Sequence, residues 1–126
     1  MNPEDLIRLS QEIQKAFDNK DIDAILQHYH DNIVLIGPSF PEPICGIDNL
    51  KKAVLKHFKN PQRTTTTLKD VKSYPLEENI CLVFCKIEGC QSIYYSRYDF
   101  KGWLSRIFIE NDDGPKIISE HLSLVE

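Results

Sequence analysis

At Asn60-Pro61 the apolar residues of this chain stop recurring at intervals of three and four and begin to alternate, and that single switch limits the folds available to it. Before the switch, Leu6, Leu9, Ile13, Ala16 and Phe17 lay one apolar stripe along a helix over Pro3 to Asn19. Asn19-Lys20-Asp21 interrupts it. Asp21 is placed to cap a second, shorter helix on which Ile22, Ile25, Leu26 and Tyr29 continue the stripe to an end near His30. Asn32 to Ile36 is a β-branched run of strand length, closed by Gly37-Pro38, and Pro41 and Pro43 keep the following stretch extended. Asp48 is predicted to cap a third helix through Leu50, Ala53, Val54, Leu55 and Phe58.

After the switch the chain reads as strands. Thr64 to Ser73 is followed by turn residues from Pro75 to Asn79, then by strands over Ile80 to Ile87 and Gly102 to Glu110. Asn111-Asp112-Asp113-Gly114 turns into a final strand from Lys116 to Val125. The stretch Gly89 to Lys101, with Tyr94, Tyr95 and Tyr98, fits either an extension of both flanking strands or a long aromatic loop. Helices first and a meander after them predict an α+β architecture with one sheet, not a parallel doubly wound fold.

Composition excludes several classes. The chain has 126 residues, a length for one domain. Its 15 Lys and Arg against 19 Asp and Glu give a net charge of −4, with no basic patch to gather nucleic acid. No apolar run approaches the ~18 residues that span a membrane. The start, Met1-Asn2-Pro3-Glu4-Asp5, is the opposite of a signal peptide, so a soluble cytoplasmic protein is expected. Cys81 and Cys85 lie four apart on a strand, roughly 13 Å at about 3.3 Å per residue, too far for a disulfide. With Cys45 and Cys90 they lack the two close pairs of a zinc site, and buried free thiols are expected, with no metal or cofactor.

Several strings, in this order, carry a family resemblance: Asn19-Lys20-Asp21-Ile22-Asp23-Ala24-Ile25, Gly46-Ile47-Asp48, Ser105-Arg106-Ile107-Phe108, Asp113-Gly114, and Ile117-Ile118-Ser119-Glu120-His121-Leu122-Ser123. The chain resembles the nuclear transport factor 2-like superfamily, in particular its SnoaL-like branch, over nearly its whole length. It is similar to the association domain of calcium/calmodulin-dependent kinase and, more distantly, to ketosteroid isomerases. The resemblance implies one domain over residues 1–126 with a cystatin-like architecture. A cone-shaped, curved, mixed or antiparallel sheet wraps three N-terminal helices, a pocket lies at the open end, and the outer sheet face dimerises. The isomerases' catalytic positions are vacant here. Gly37 stands at the general base, Ile13 at the oxyanion tyrosine, and Ser105 or Arg106 at the second aspartate.

Alternation assigns faces. Leu104, Arg106, Phe108, Ile118, Glu120, Leu122 and Leu124 share one, assigned to the helix-covered core; Trp103, Ser105, Ile107, Ile109, Ile117, Ser119, His121, Ser123 and Val125 share the other. Similarity to the kinase domain implies pocket cations at Lys86 and Arg106 and the loss of a third at Leu122. Glu120 is on the same face as Arg106, either as its partner in a buried ion pair or, with Tyr29, as part of a ligand pocket. His28 and His30, two apart on the second helix, point to different sides and are no metal pair. Cys81, Val83, Cys85 and Ile87 are read as outward, opposite Ile80, Leu82, Phe84 and Lys86. Because both faces of the sheet are apolar, a homodimer is expected through Cys81, Val83, Trp103, Ile107, Ile117 and His121.

Three functions follow from these residues. One is a small-molecule-binding protein whose Lys86, Arg106, Tyr29 and Leu122 receive a small apolar acid. The second is an isomerase, cyclase or hydrolase with Glu120 as general base. The third is an assembly module without a ligand.

Overall fold

The computed structural model describes residues 1–125. Helix α1 (Pro3–Asp18) begins where Asn2 Oδ1 accepts the Glu4 N–H at 2.9 Å, with Pro3 in the first turn, and it buries Leu6, Ser10 and Ile13. Helix α2 (Ile22–Leu26) is capped by Asp21, which accepts the Ala24 N–H. It is shorter than its apolar stripe. The His28 carbonyl accepts the Ile117 N–H at 2.8 Å, and this draws the chain into the sheet before another helical turn can form. Tyr29 therefore opens β1 (Tyr29–Ile36), and neither His28 nor His30 is helical.

The two-residue β2 (Ile44–Cys45) follows the proline-bearing loop and pairs with β1. Helix α3 (Ile47–Phe58) starts at Gly46, whose φ of 88° is a left-handed conformation, and it has no side-chain cap. Asp48 lies inside the first turn, where its charge favours the helix dipole. Strand β3 (Arg63–Glu77) runs through Pro75, tolerable because β3 is an edge strand, so the turn before β4 shrinks to Glu78 and Asn79.

Strands β4 (Ile80–Ile93) and β5 (Ser96–Asn111) answer the open question of residues 89–101. Both continue as one long hairpin, paired without a break from Ile80↔Ile109 to Ile93↔Ser96, with Tyr94 and Tyr95 exposed at its tip. Strand β6 (Gly114–Val125) returns from Asp112-Asp113 and inserts between β5 and β1. The sheet order is β2-β1-β6-β5-β4-β3, open at both edges. Among the described residues only the β1–β6 pairing is parallel, so the sheet is mixed. Helices preceding a curved mixed sheet make this the expected α+β fold.

Register decides the faces. Cys81, Val83 and Cys85 pair with Phe108, Arg106 and Leu104, and all six are buried toward the helices. This reverses the expected phase of β4. Cys81 and Val83 belong to the core, while Ile80, Leu82, Phe84 and Lys86 face outward beside Trp103 and Ile107. A second correction comes from a bulge. Ile107 pairs with Ser119 but Phe108 with Ile117, leaving Ile118 as the extra residue and turning Ile117 inward, where it is wholly buried. Of the four cysteines, Cys81 and Cys85 are buried, Cys90 is half-buried, and Cys45 is exposed on β2 because its neighbour Ile44 takes the inward position. No described helix is long and apolar enough to cross a membrane.

Candidate functional site

The β5–β6 register beyond the bulge brings Arg106 opposite Glu120, and their side chains meet inside the cone. Arg106 Nε donates to Glu120 Oε1 at 2.7 Å, and Tyr29 Oη donates to the same oxygen at 2.8 Å. Arg106 Nη1 donates to the Ser10 carbonyl at 3.1 Å, and Nη2 to Gln14 Oε1. The guanidinium is only 1% exposed and binds three acceptors. A charge taken this far from water is tolerable because it is paired and hydrogen-bonded. Burial works against the charge on Arg106, but Glu120 and then Tyr29 outweigh it and hold its pKa above the ordinary value. Burial, then the Glu120 charge, pushes Tyr29 well above the usual phenol range, so it stays a donor. Burial also pushes the neighbouring Cys85 thiol up to about 11, leaving it protonated and unreactive at neutral pH.

Above this triad opens a cavity of about 420 Å³. Its walls are the C-terminal ends of α1 and α3, the Gly37–Phe40 loop, Leu35 of β1, and the inner face of β3 to β6. Phe17, Phe40, Phe58, Phe100 and Leu122 supply apolar surface; Gln14, Asp18, His57, Gln62 and Glu120 supply polar atoms. Glu120 is 7% exposed, and both of its hydrogen bonds end on Oε1. Oε2 is therefore a fixed carboxylate oxygen with no protein partner among the described residues. Asp18 accepts the Thr66 N–H at 2.9 Å and the Thr66 hydroxyl at 3.0 Å, fastening α1 to β3. Burial raises its pKa, with the Thr66 bonds opposing part of the rise.

Of the residues expected to hold an acid, Tyr29 and Arg106 lie beneath the cavity, and Glu120 and Leu122 line it. Lys86 does not. It sits on the outer face, its Nζ 3.6 Å from Asp70 and 5.8 Å from the Trp103 ring centroid. The similarity that assigned it to the pocket carried the residue type but not the strand phase. Each of the three Arg106 nitrogens already donates to a protein acceptor and neither Arg106 nor Lys86 lines the cavity, so the basic pair expected to grip a carboxylate is not there. Asp18, His57, Gln62 and Phe40 escaped the sequence reading because they come from helix ends and loops; only Gln14 and Asp18, polar residues one turn apart beside Phe17, left a signal there. On the outside, Trp103, Ile107 and His121 occupy the expected face, and His121 Nε2 is 3.2 Å from Ser123 Oγ, away from the cavity.

The model of the SnoaL-like domain family matches residues 7–126. The chain belongs to the SnoaL-like family. No curated protein matches it in sequence. Among solved structures, a putative dehydratase of the nuclear transport factor 2-like family from Streptomyces avermitilis superposes with a TM-score of 0.87 at 15% identity, covering 98% of this chain and 96% of that one. A putative calcium/calmodulin-dependent protein kinase II association domain from Xanthomonas campestris gives 0.82 at 11% identity, over 96% and 86%. A ketosteroid isomerase-like protein from Erwinia carotovora atroseptica gives 0.79 at 19% identity, over 94% and 92%. At these identities the likeness establishes the SnoaL-like fold alone.

Two histidines make the stability of this SnoaL-like chain depend on pH. His57 packs edge-on against Phe40 and lies 2.8 Å from Gln62 Nε2, an arrangement in which the neutral ring accepts a bond. Burial, then Lys20, lowers its pKa; burial, then Lys116, lowers that of His28. A base whose folded pKa is depressed contributes stability above its unfolded pKa and loses it as pH falls through the folded one. Unfolding free energy is expected to decline between about pH 7 and pH 5. Denaturant titrations of the double variant His28→Gln/His57→Gln are expected to show a flatter slope over that window.

Proposed function

We propose that this protein binds a small organic molecule in the cavity at the open end of its cone and works as a homodimer. The observation that carries the binding reading is Glu120. Two buried donors lock one oxygen of its carboxylate, the other has no protein partner among the described residues, and the residue lines an aromatic-walled space of about 420 Å³. Cavities of roughly this size, mostly apolar with a few fixed polar groups, are where small molecules bind. An assembly module without a ligand would be expected to fill its cone with side chains.

The fixed Oε2 also supports a second reading, proton transfer to or from a bound ligand, in keeping with the putative dehydratase and the isomerase-like protein among the structural neighbours. Gly37, at the position of the isomerases' general base, lines the cavity without a side chain, so Glu120 would have to take that role.

The dimer rests on the outer face. Phe84 and Trp103 stack at 5.7 Å with 9° between their planes and remain 37% and 43% exposed, flanked by Leu82 and Ile107. An apolar surface of that kind on a folded sheet favours a partner surface of the same chemistry. The putative association domain among the structural neighbours supports self-assembly as well.

Native mass spectrometry tests both claims. The protein at about 10 µM is expected as a dimer, since an interface of standard size holds at that concentration, and with a co-purifying small-molecule adduct. Leu122→Trp, which fills the cavity, should remove the adduct and keep the dimer; Trp103→Lys should remove the dimer and keep the adduct. A wild-type monomer defeats the dimer, and an adduct unchanged in Leu122→Trp defeats the cavity.

A further inference from the structure

The charges around the cavity are arranged against an acid. Arg106 lies behind Glu120 with three acceptors already bound. Lys20, exposed at the rim, directs its Nζ to the Asn60 carbonyl at 2.8 Å and the Phe58 carbonyl at 3.4 Å, closing the end of α3. The carboxylates are differently placed. Glu120 presents Oε2, and Asp18 is half-buried with hydroxyl and amide partners but no cation within ion-pair distance among the described residues.

Gln14 ties the two carboxylates together. It accepts from Arg106, the partner of Glu120, and it stands one helical turn before Asp18 on the same face of α1, a rise of about 6 Å. Gln14, Asp18 and Glu120 all line the one cavity. The rings of Phe17, Phe40, Phe58 and Phe100 line the same cavity. Aromatic faces attract cations, and they do so more strongly where water is excluded.

We propose that the cavity takes an organic ammonium compound with an aromatic body, its charged nitrogen at Asp18 and within reach of Glu120 Oε2, its ring among the phenylalanines. This deepens the binding reading above and rests on it. The Arg106–Glu120 pair is neutral as a unit, and the charge of Lys20, though it reaches His57, is exposed with its Nζ held at the end of α3. Asp18 is left as the carboxylate that gains a counter-ion. The rise in its pKa from burial agrees with a group that lacks one.

Three probes of one ring and one chain length separate the head groups: 2-phenylethylamine, 2-phenylethanol and phenylacetate, titrated into the wild-type protein by calorimetry at neutral pH. The amine is expected to bind at least about tenfold more tightly than the alcohol, the effect of one desolvated cation–π or charge-assisted contact, with phenylacetate weakest. Asp18→Asn should bring the amine to the affinity that the alcohol has in the same variant, and Leu122→Trp should abolish all binding. Equal or tighter binding of the alcohol or the acid overturns the ammonium proposal while leaving the cavity reading in place. An amine preference that persists in folded Asp18→Asn also overturns it. Failure of all three probes to bind counts against both. The wild-type ranking decides even if Asp18→Asn does not fold.

Discussion

Replacing Arg106 with methionine is expected to remove about 3–5 kcal/mol of stability, the usual result of stranding one member of a buried ion pair. Methionine keeps much of the volume but supplies no donor, so Glu120 Oε1 keeps only the Tyr29 bond, and the Ser10 carbonyl and Gln14 lose theirs. The loss is charge-specific, not a packing defect. The double variant Arg106→Met/Glu120→Leu should therefore recover most of it, as replacing a whole buried pair with apolar residues is often neutral or stabilising. Equilibrium unfolding in urea measures both. If the double variant is no more stable than the single one, the deficit comes from lost packing against α1, and the ion pair has little to do with it.

A comparable loss is expected from adding one methyl group at Gly102. A Cβ there would lie 1.9 Å from the Ser123 carbonyl oxygen and 2.9 Å from its carbon, both backbone atoms of the paired strand β6. A side chain could swing aside, but a strand held by neighbouring ladders cannot move without breaking their bonds. Gly102→Ala should cost about 3 kcal/mol or more, the upper range for overpacked sites, and increase amide exchange first along Gly102–Leu104 and Leu122–Leu124. Wild-type stability in that variant would mean that β5 and β6 separate easily at their outer end.

Much of the fold was legible because the sequence changes period at one place. The α1 stripe, the strand starts and the Asp-Gly turn into β6 are local signals, each set by neighbours a few residues apart. The pairing of Arg106 with Glu120 was legible for the same reason, since only alternation between two adjacent strands was needed. Lys86 was not. β4 carries Cys81, Val83, Cys85 and Ile87 on one face and Ile80, Leu82 and Phe84 on the other, so hydrophobicity holds no sign of which is inward. That choice is made by the helices over one face, a long-range fact. Ile117 was lost to a one-residue bulge, which reverses every side chain on one side of it. Tyr29 was legible as a candidate beside Glu120 but read on the wrong element, because its apolar phase suits a helix while the backbone bond from Ile117 to His28 places it in the sheet. The cavity was least legible, being assembled from helix ends, a loop and five strands.

The position of β6 has a consequence for how the chain acquires its structure. Its partners on either side, β5 and β1, stand at opposite ends of the order of synthesis, and the Tyr29–Glu120 bond spans 91 residues. The first four elements emerge from the ribosome with no sheet neighbour for β1 except the two-residue β2. Closure of such distant contacts is slow, because the entropy of the intervening loop is lost before any contact compensates for it. Until β6 has emerged, the core side of β1 and the helices over it remain without the strand that joins them to the rest of the sheet, so the half-made chain leaves that apolar surface open to water.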